Sequence, residues 1–417
     1  MALREHLEFR PAADVSAGEA ERERQLFAGL PAAPAVFCLR AEDLSLDPYV
    51  GKTVNLRRRM LRLLGPAQGA SRLLNLRERA RILEYSAVGS DFEAQLVLYR
   101  LLREAFPQTY QQRLRLRPAP LLKLILENPY PRITVTGRIT SLRGRNLYFG
   151  PFATRAQAEQ IANDALDFFL LRRCTDDLHP DPAFPGCPYS EMKMCLAPCF
   201  KGCTDERYAE ETGHVERFFS SRGSSLRQEL GRARDAASEE LDFERAAGVH
   251  AKLEKLARLR SQMPDIVRRL DQLNGVMIQR SALPDSVALF RISGGCLAEP
   301  IQLAVGARAT VEENRAAAES KAPASMESRI AAALALAPAA SPSSAQEWME
   351  HLALLKRWYY RSGKTGEVFF TDESGALPMR RVVRAVSRVF KGEKPQADLS
   401  ETAGEYWVLR AKESGIE

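Results

Sequence analysis

The sequence predicts an α+β protein of several domains, and three observations support this fold class. The chain has 417 residues, of which 45% are hydrophobic, enough for two to four packed domains. Short apolar runs typical of strands, such as residues 35–40, stand beside segments with helical spacing of apolar residues, such as residues 56–64. A cysteine-rich stretch precedes a mainly helical segment. The boundaries that we predict are a polar lead-in (1–26), a small mixed sheet with helices (27–112), a linking α+β segment (113–173), a cysteine-rich region (174–203), a helical region (204–263), a small β meander (264–312), an Ala/Pro/Ser linker (313–346) and an α+β tail (347–417).

Positive charge is concentrated in the first third of the chain. The formal net charge is +7 and the pI is near 9.0, which indicates a polyanionic partner. Residues 100–145 hold ten basic residues and two acidic ones. A solvated helix face would interleave acids with bases, so this distribution favours a surface that binds a nucleic-acid phosphate backbone. Residues 52–81 hold one acid, Glu78, and nine basic residues, which are Lys52, Arg57, Arg58, Arg59, Arg62, Arg72, Arg77, Arg79 and Arg81.

The sequence gives no sign of membrane insertion or secretion. No apolar run approaches the ~18 residues that span a bilayer, and the first 24 residues are too charged for a signal peptide. We therefore predict a cytoplasmic, reducing location without a membrane partner.

The first lobe is predicted to join a hairpin to an arginine-rich helix. Residues 35–40 resemble a buried strand and residues 49–52 a second short strand, so the two should pair. Asn55 can cap a helix over residues 56–64, in which the apolar residues share one face. The remaining helix surface is basic and would form a phosphate platform, for which the DNA-binding candidates are Arg57, Arg58 and Arg62.

Four of the seven cysteines lie within 26 residues. Their spacing is Cys-x12-Cys-x7-Cys-x3-Cys, formed by Cys174, Cys187, Cys195 and Cys199. Thiols gathered so closely in a reduced protein indicate a metal site rather than disulfides. Because zinc usually takes Cys-x2-Cys pairs, the looser spacing favours a [4Fe–4S] cluster, with zinc or incidental buried cysteines as the alternatives. We expect a structural brace, with redox sensing as the second interpretation, and Cys203 is a fifth candidate ligand.

A helical hairpin is predicted over residues 224–263. Two stripes of apolar residues are interrupted near Leu241-Asp242, as expected for two antiparallel helices. Such a hairpin is too small to bury its apolar edge alone, so it should pair with a similar hairpin in another protein or in a second copy of itself.

These segments together resemble a known family. Ala35-Val36-Phe37 and Tyr49-Val50-Gly51, followed by Arg59, resemble the GIY-YIG nuclease module. With Lys52 and Asn55-Leu56, this part is similar to the amino-terminal nuclease domain of the UvrC family, the incising subunit of bacterial excision repair. The cysteine array resembles the iron–sulfur site of that family, Leu241–Ala247 resembles its UVR motif, and Tyr148–Phe152 also matches. The likeness covers about residues 27–260 and implies a shortened relative.

The resemblance implies roles for particular residues. Tyr49 would be the general base or water-positioning group, Arg59 and Lys52 would contact the scissile phosphate, and Glu93 would ligate one Mg²⁺ or Mn²⁺ ion. These groups would converge on one phosphate-sized spot. The four cysteines named above would hold the cluster, and UvrB would be bound through Leu241, Phe243, Glu244, Ala246 and Ala247.

Four positions depart from the pattern of the family. Its first-strand glycine and tyrosine are Ala35 and Phe37 here, a tyrosine beyond the arginine is Leu63, and an asparagine after the following helix is replaced by Tyr110. Loss of one hydrogen-bonding group commonly costs orders of magnitude in rate without abolishing binding.

Beyond residue 264 the resemblance becomes weaker. The aspartate expected on the first strand of a second, RNase H-like nuclease is absent from residues 275–279. The aromatic residues of the tail, such as Trp348 and Trp358, are predicted to be core residues rather than base-stacking platforms.

The resemblance therefore predicts a DNA-repair endonuclease that makes one metal-dependent incision, which by analogy with the family would lie on the 3′ side of a lesion. The alternatives are a catalytically silent DNA-binding adaptor that docks UvrB and an iron–sulfur sensor on a nuclease scaffold.

Overall fold

A computed structural model describes residues 5–8, 17–65, 74–175, 177–305, 325–336 and 338–393. These residues form helices and several small antiparallel sheets, which confirms the α+β class. The strands are β1 (Glu5–Glu8), β2 (Ala35–Arg40), β3 (Tyr49–Thr53), β4 (Ile82–Ala87), β5 (Leu121–Ile125), β6 (Arg132–Thr136), β7 (Leu147–Gly150), β8 (Arg268–Arg269), β9 (Gly275–Arg280), β10 (Ser286–Ser293), β11 (Cys296–Leu297), β12 (Ile301–Ala304) and β13 (Glu367–Phe370). The helices are α1 (Ala17–Gly29), α2 (Leu56–Leu64), α3 (Asp91–Ala105), α4 (Tyr110–Leu114), α5 (Arg155–Leu166), α6 (Pro188–Glu191), α7 (Asp205–Ser220), α8 (Ser224–Glu239), α9 (Phe243–Gln262), α10 (Met326–Leu336), α11 (Ala345–Tyr359) and α12 (Met379–Lys391).

The first sheet has the strand order β1-β4-β2-β3. The predicted hairpin is confirmed, with Phe37 opposite Gly51. The prediction of a mixed sheet is wrong, because all three strand pairs are antiparallel. The predicted lead-in also contributes structure, since β1 pairs with β4 and α1 begins within it.

Helices cover both faces of this sheet. Side chains alternate along a strand, so Phe37 and Leu39 pack with Leu56 of α2. Val36 and Cys38 point the other way and pack with α3. Residues carried by α2 and by α3 are therefore separated by the sheet.

The second sheet has the order β6-β5-β7-β8 and shares one large core with α5, α7 and α9. The helices α8 and α9 lie against each other as the predicted hairpin. The chain turns between them at Leu241, which has a φ of +60°.

The third sheet has the order β11-β10-β9-β13, with β12 beside β10. The predicted meander is confirmed, and β13 of the tail joins it. The prediction of a linker over residues 313–346 is wrong in part, because residues 326–336 form α10 and bury Ile330. Residues 313–324 lie outside the described ranges. Trp358 is buried, as predicted for a core residue.

The third sheet and its helices, which we call the C-terminal unit, contact the first lobe directly. A Cβ atom on Gly89 would lie 2.2 Å from the carbonyl oxygen of Arg280, so only glycine permits this backbone approach. Buried Glu350 of α11 accepts hydrogen bonds from the hydroxyls of Tyr99 and Tyr110. These contacts bring the C-terminal unit to the first turn of α3.

Candidate active site

Tyr49 and Arg59 meet at the edge of the first sheet. Tyr49 begins the edge strand β3, and Arg59 projects from α2 on the same face. An Nη2–H of Arg59 donates to the Tyr49 hydroxyl at 2.8 Å. The buried Nε of Arg59 has no hydrogen-bond partner among the described residues. The Nε–H of Arg59 and the hydroxyl proton of Tyr49 can therefore both donate to an anionic or polar ligand.

The arginines of α2 do not all face solvent. Asn55 caps the helix as predicted, because its side chain accepts from the Arg58 N–H at 2.9 Å. Arg58 and Arg62 are exposed and one turn apart, so their side chains share a face. Arg57 turns back, and its Nε donates to the carbonyl of Leu30 at 2.8 Å. The phosphate platform thus consists mainly of Arg58 and Arg62; Arg72 of the basic run lies outside the described residues.

Lys52 lies on the α3 side of the sheet and is bridged to a second cation. Its Nζ is 2.6 Å from Oδ1 of Asp91, and Arg361 donates to Oδ2 of the same carboxylate. Burial alone would raise the pKa of Asp91, but hydrogen bonds from Lys52, Gln95 and Arg361 lower it. Sequence reasoning missed Arg361, because it follows α11 in the tail and no local signal links it to Asp91.

Glu93 does not stand beside Tyr49 and Arg59 on the α2 face. It lies in the first turn of α3, across the sheet, and only 4% of its surface is exposed. Its Oε2 accepts from the Gly89 N–H at 2.8 Å, and its own N–H donates to Ser90 Oγ at 3.1 Å. Glu93 therefore helps to cap α3, and a metal ion bound there would compete with the hydrogen bond from Gly89.

The positions that depart from the family pattern have structural roles here. Phe37 is fully buried, and a Cβ on Gly51 would lie 3.2 Å from its ring. Leu63 is buried on the inner face of α2. Tyr110 donates to Glu350 of α11 and so ties α4 to the C-terminal unit.

The four clustered cysteines are half-buried neighbours. Burial, together with the other three thiols, raises the pKa of Cys195 to about 11, although the hydrogen bond from Ala197 lowers it. The Ala197 N–H donates to Cys195 Sγ at 3.3 Å, and Arg172 donates to Cys174 Sγ at 3.6 Å. Hydrogen bonds donated to sulfur stabilise a thiolate and are therefore typical of cysteines that act as metal ligands. As the described side chains stand, however, no three of the His, Cys, Asp or Glu type are close enough to hold a metal ion.

The tip of the helical hairpin exposes two large apolar side chains. Leu241 is 71% exposed and Phe243 68% exposed. Asp242 between them caps α9 by accepting from the Arg245 N–H at 3.0 Å, so the backbone of the tip is fixed. Glu244 and Ala247 are also exposed, and Ala246 is partly so. Within the described ranges, every helix is too short or too polar to cross a bilayer.

Comparison with known proteins identifies similar chains. Residues 120–218 match the family model described as the UvrC/Cho excinuclease, middle domain. The chain is 28% identical over 254 residues to the UvrABC system protein C of Rickettsia bellii, which covers 60% of this chain and 39% of that protein. It is 30% identical to the proteins of the same name from Cereibacter sphaeroides (214 residues; 51% and 34%) and Haloarcula marismortui (237 residues; 56% and 40%). The chain thus spans between a third and two fifths of these curated relatives. No solved structure matches it.

Proposed function

Because this chain is a member of the UvrC family, we propose that it acts in nucleotide excision repair as an endonuclease that makes one metal-dependent incision, on the 3′ side of a lesion. The observation that carries this proposal is the hydrogen-bonded pair of Tyr49 and Arg59 next to the exposed Arg58 and Arg62. A cation, a hydroxyl and a phosphate platform at one sheet edge are the parts that phosphodiester hydrolysis needs from the protein.

Each group has a definite task in this proposal. Arg59 holds the Tyr49 oxygen through Nη2, so the hydroxyl proton of Tyr49 is left to orient an attacking water. The unpartnered Nε–H of Arg59 can stabilise the charge that develops on the phosphoryl oxygens. Lys52 would contact the DNA backbone from the other side of β3. Glu93 is the proposed ligand for the Mg²⁺ or Mn²⁺ ion that would supply Lewis-acid chemistry, although it lies on the α3 side of the sheet and not beside Tyr49 and Arg59.

The test is a nicking assay on a duplex with a single lesion. Wild-type protein with Mg²⁺ or Mn²⁺ should cut one strand once, on the 3′ side of the lesion, and chelation of the metal should stop it. Cleavage that survives chelation would contradict the metal dependence, and cleavage at two sites would contradict the single incision.

A second candidate function is a catalytically silent adaptor that binds DNA and docks UvrB. Two contacts favour it. Oε2 of Glu93 accepts a hydrogen bond from the Gly89 N–H and is therefore already engaged, and the carboxylate of Asp91 neutralises the charge of Lys52. Wild-type protein that binds the duplex tightly but cleaves it with neither metal would establish the adaptor and exclude the nuclease.

We also propose that Cys174, Cys187, Cys195 and Cys199 hold a [4Fe–4S] cluster that braces the loops of residues 174–203, with zinc as the alternative. The donors to sulfur at Cys174 and Cys195 support thiolate ligation. Since the loops do not form a closed site as they stand, binding would draw the sulfurs together.

Protein purified without oxygen should be brown, absorb near ~400 nm and contain about four irons per chain. Cys187→Ser should remove the colour and lower the melting temperature, whereas Cys203→Ser, which lies outside the four, should keep both. A colourless protein with one zinc per chain would overturn the iron–sulfur assignment.

The hairpin tip is proposed to bind UvrB. Exposed apolar anchors at a fixed turn are typical of binding hot spots, so Leu241→Ser with Phe243→Ser should weaken the complex by about 2 kcal/mol or more, roughly 30-fold. Leu336→Ser is the matched control, because Leu336 is 86% exposed on α10. Equal binding by the tip variant and the control would exclude this surface, and loss of a homodimer in the tip variant would show that a second copy is the partner.

A further inference from the structure

We propose that the outward face of α12 is a second surface for the phosphate backbone of duplex DNA, and that its C-terminal end lies near the contact between the C-terminal unit and the first lobe. The proposal rests on the proposed function only in taking DNA as the polyanion. It assigns a contact surface to the C-terminal unit, which the roles given above leave without a ligand.

The two faces of α12 differ completely in character. Val382, Ala385, Val386 and Val389 are buried against the third sheet and α10. The opposite face is exposed and carries Arg380, Arg381, Arg384, Ser387 and Lys391. The apolar face fixes the helix on the sheet, so the basic face is held rigidly toward solvent.

The composition of α12 matches that of the predicted phosphate platform. Its 13 residues include four arginines, one lysine and no acid. Among the helices of the described ranges, only α2 shares this pattern of at least four basic residues without an acid. A helix face that is merely solvated mixes both signs of charge, as α8 and α9 do.

The five basic residues of α12 differ in their neighbours. Arg388 is held by Glu367 of β13 at 2.7 Å, and Lys391 lies 3.9 Å from Glu393. Neither Arg380 nor Arg384 has an acidic partner within 4.0 Å in the part of the chain that the structure describes. These two arginines are therefore available to an external anion.

The C-terminal end of α12 lies near the contact between the C-terminal unit and the first lobe. At the end of α12, a Cβ on Gly392 would lie 3.7 Å from the guanidinium of exposed Arg280. The carbonyl of Arg280 touches Gly89 of the first lobe. Two residues further on, Asp91 holds Lys52 and Arg361. The end of α12 and the Lys52–Asp91–Arg361 group are thus linked through the contact between Arg280 and Gly89.

The dimensions suit a nucleic-acid strand. Arg380 to Lys391 spans 11 residues, or about 16 Å at the rise of an α-helix. One strand of a duplex carries a phosphate every ~3.4 Å of helix axis, so the basic face can follow about five phosphates. Such contacts position the duplex without reading its sequence.

The test measures duplex affinity against salt with Arg380→Ala/Arg384→Ala in the full-length Tyr49→Phe protein, so that cleavage does not interfere. The matched control is Arg155→Ala/Arg207→Ala in the same protein; it removes the same charge, but from arginines that pair with acids on α5 and α7. The slope of log K, the association constant, against log salt concentration is negative. Loss of two phosphate contacts should reduce its magnitude by about 1.8 and weaken binding roughly 60-fold near 0.1 M salt. The control should change the slope by less than about a quarter of this amount.

A slope equal to that of the control would overturn the proposal, and it would do so whether α12 is merely solvated or binds an acidic protein. The proposed function fails separately. If wild-type protein never nicks the duplex but Arg380→Ala/Arg384→Ala still flattens the slope, the nuclease is excluded and the surface on α12 stands. Equal melting temperatures of all variants would show that the changes act on binding and not on folding.

Discussion

Tyr49→Phe should lower the rate of nicking by roughly 100- to 1,000-fold, because it removes the one hydroxyl that Arg59 holds at the sheet edge. The phenyl ring keeps the packing with Phe37, whose ring centre lies 6.1 Å away, so the lobe should remain folded. Affinity for duplex DNA should stay within about twofold, since binding depends on the arginines. The measurement is a single-turnover time course with Mg²⁺ or Mn²⁺ together with a binding titration.

Tyr85→Phe is the matched control for this change. Tyr85 lies on β4, opposite Phe37, and is partly buried in the same cluster. It is two strands away from β3, so its hydroxyl should be dispensable. If both variants nick at the wild-type rate, Tyr49 takes no part in the chemistry; if both are slow, the loss reflects the lobe as a whole.

Two variants at Glu93 separate metal ligation from helix capping. Glu93→Gln keeps an oxygen that can accept from the Gly89 N–H but removes the charge that a divalent ion needs. Glu93→Ala removes both and should also destabilise α3 by about 1 kcal/mol through the lost cap. Nicking that is lost equally in both variants supports a metal ligand. Full nicking by Glu93→Gln would show that Glu93 only caps the helix.

The elements that the sequence predicts well are those with local signals. The hairpin of β2 and β3 follows from apolar runs, the start of α2 from Asn55, and the turn of the helical hairpin from the break in its apolar stripes at Leu241. In each case the residues that determine the structure are neighbours along the chain.

The features that the sequence could not predict depend on distant partners. Arg361 reaches Asp91 across 270 positions, and nothing near either residue indicates the other. From the sequence, Tyr110 is only a departure from the active-site pattern of the family. Its structural role depends on Glu350 of α11, which accepts a hydrogen bond from its hydroxyl. The helix α12 lies in the segment predicted as an α+β tail, but only the fold shows that its end lies beside Arg280. Local pattern fixes which face of a helix is apolar, whereas the neighbour of the polar face is set by tertiary packing.

Glu350→Leu should cause the largest loss of stability, about 3–5 kcal/mol in the free energy of unfolding. Glu350 is only 2% exposed and accepts from the hydroxyls of Tyr99 and Tyr110 and from the amides of Gln111 and Gln346, the latter two at 2.8 Å. Leucine has a similar size but no acceptor, so the buried hydroxyls of Tyr99 and Tyr110 would lose their partner. Because three of the four donors come from α3 and α4 while Glu350 is on α11, the loss should appear first as separation of the C-terminal unit from the first lobe.

The measurement is urea unfolding followed by tryptophan fluorescence, since Trp348 and Trp358 lie on α11 and report on this contact. Glu159→Leu is the control; Glu159 forms an exposed pair with Arg155 and should cost less than about 1 kcal/mol. Adding Tyr99→Phe and Tyr110→Phe to Glu350→Leu should restore part of the stability, because the unpaired hydroxyls are then gone as well. If Glu350→Leu unfolds at the same urea concentration as the control, the buried carboxylate does not join the units, and the position of Arg361 beside Asp91 must depend on the contact between Gly89 and Arg280.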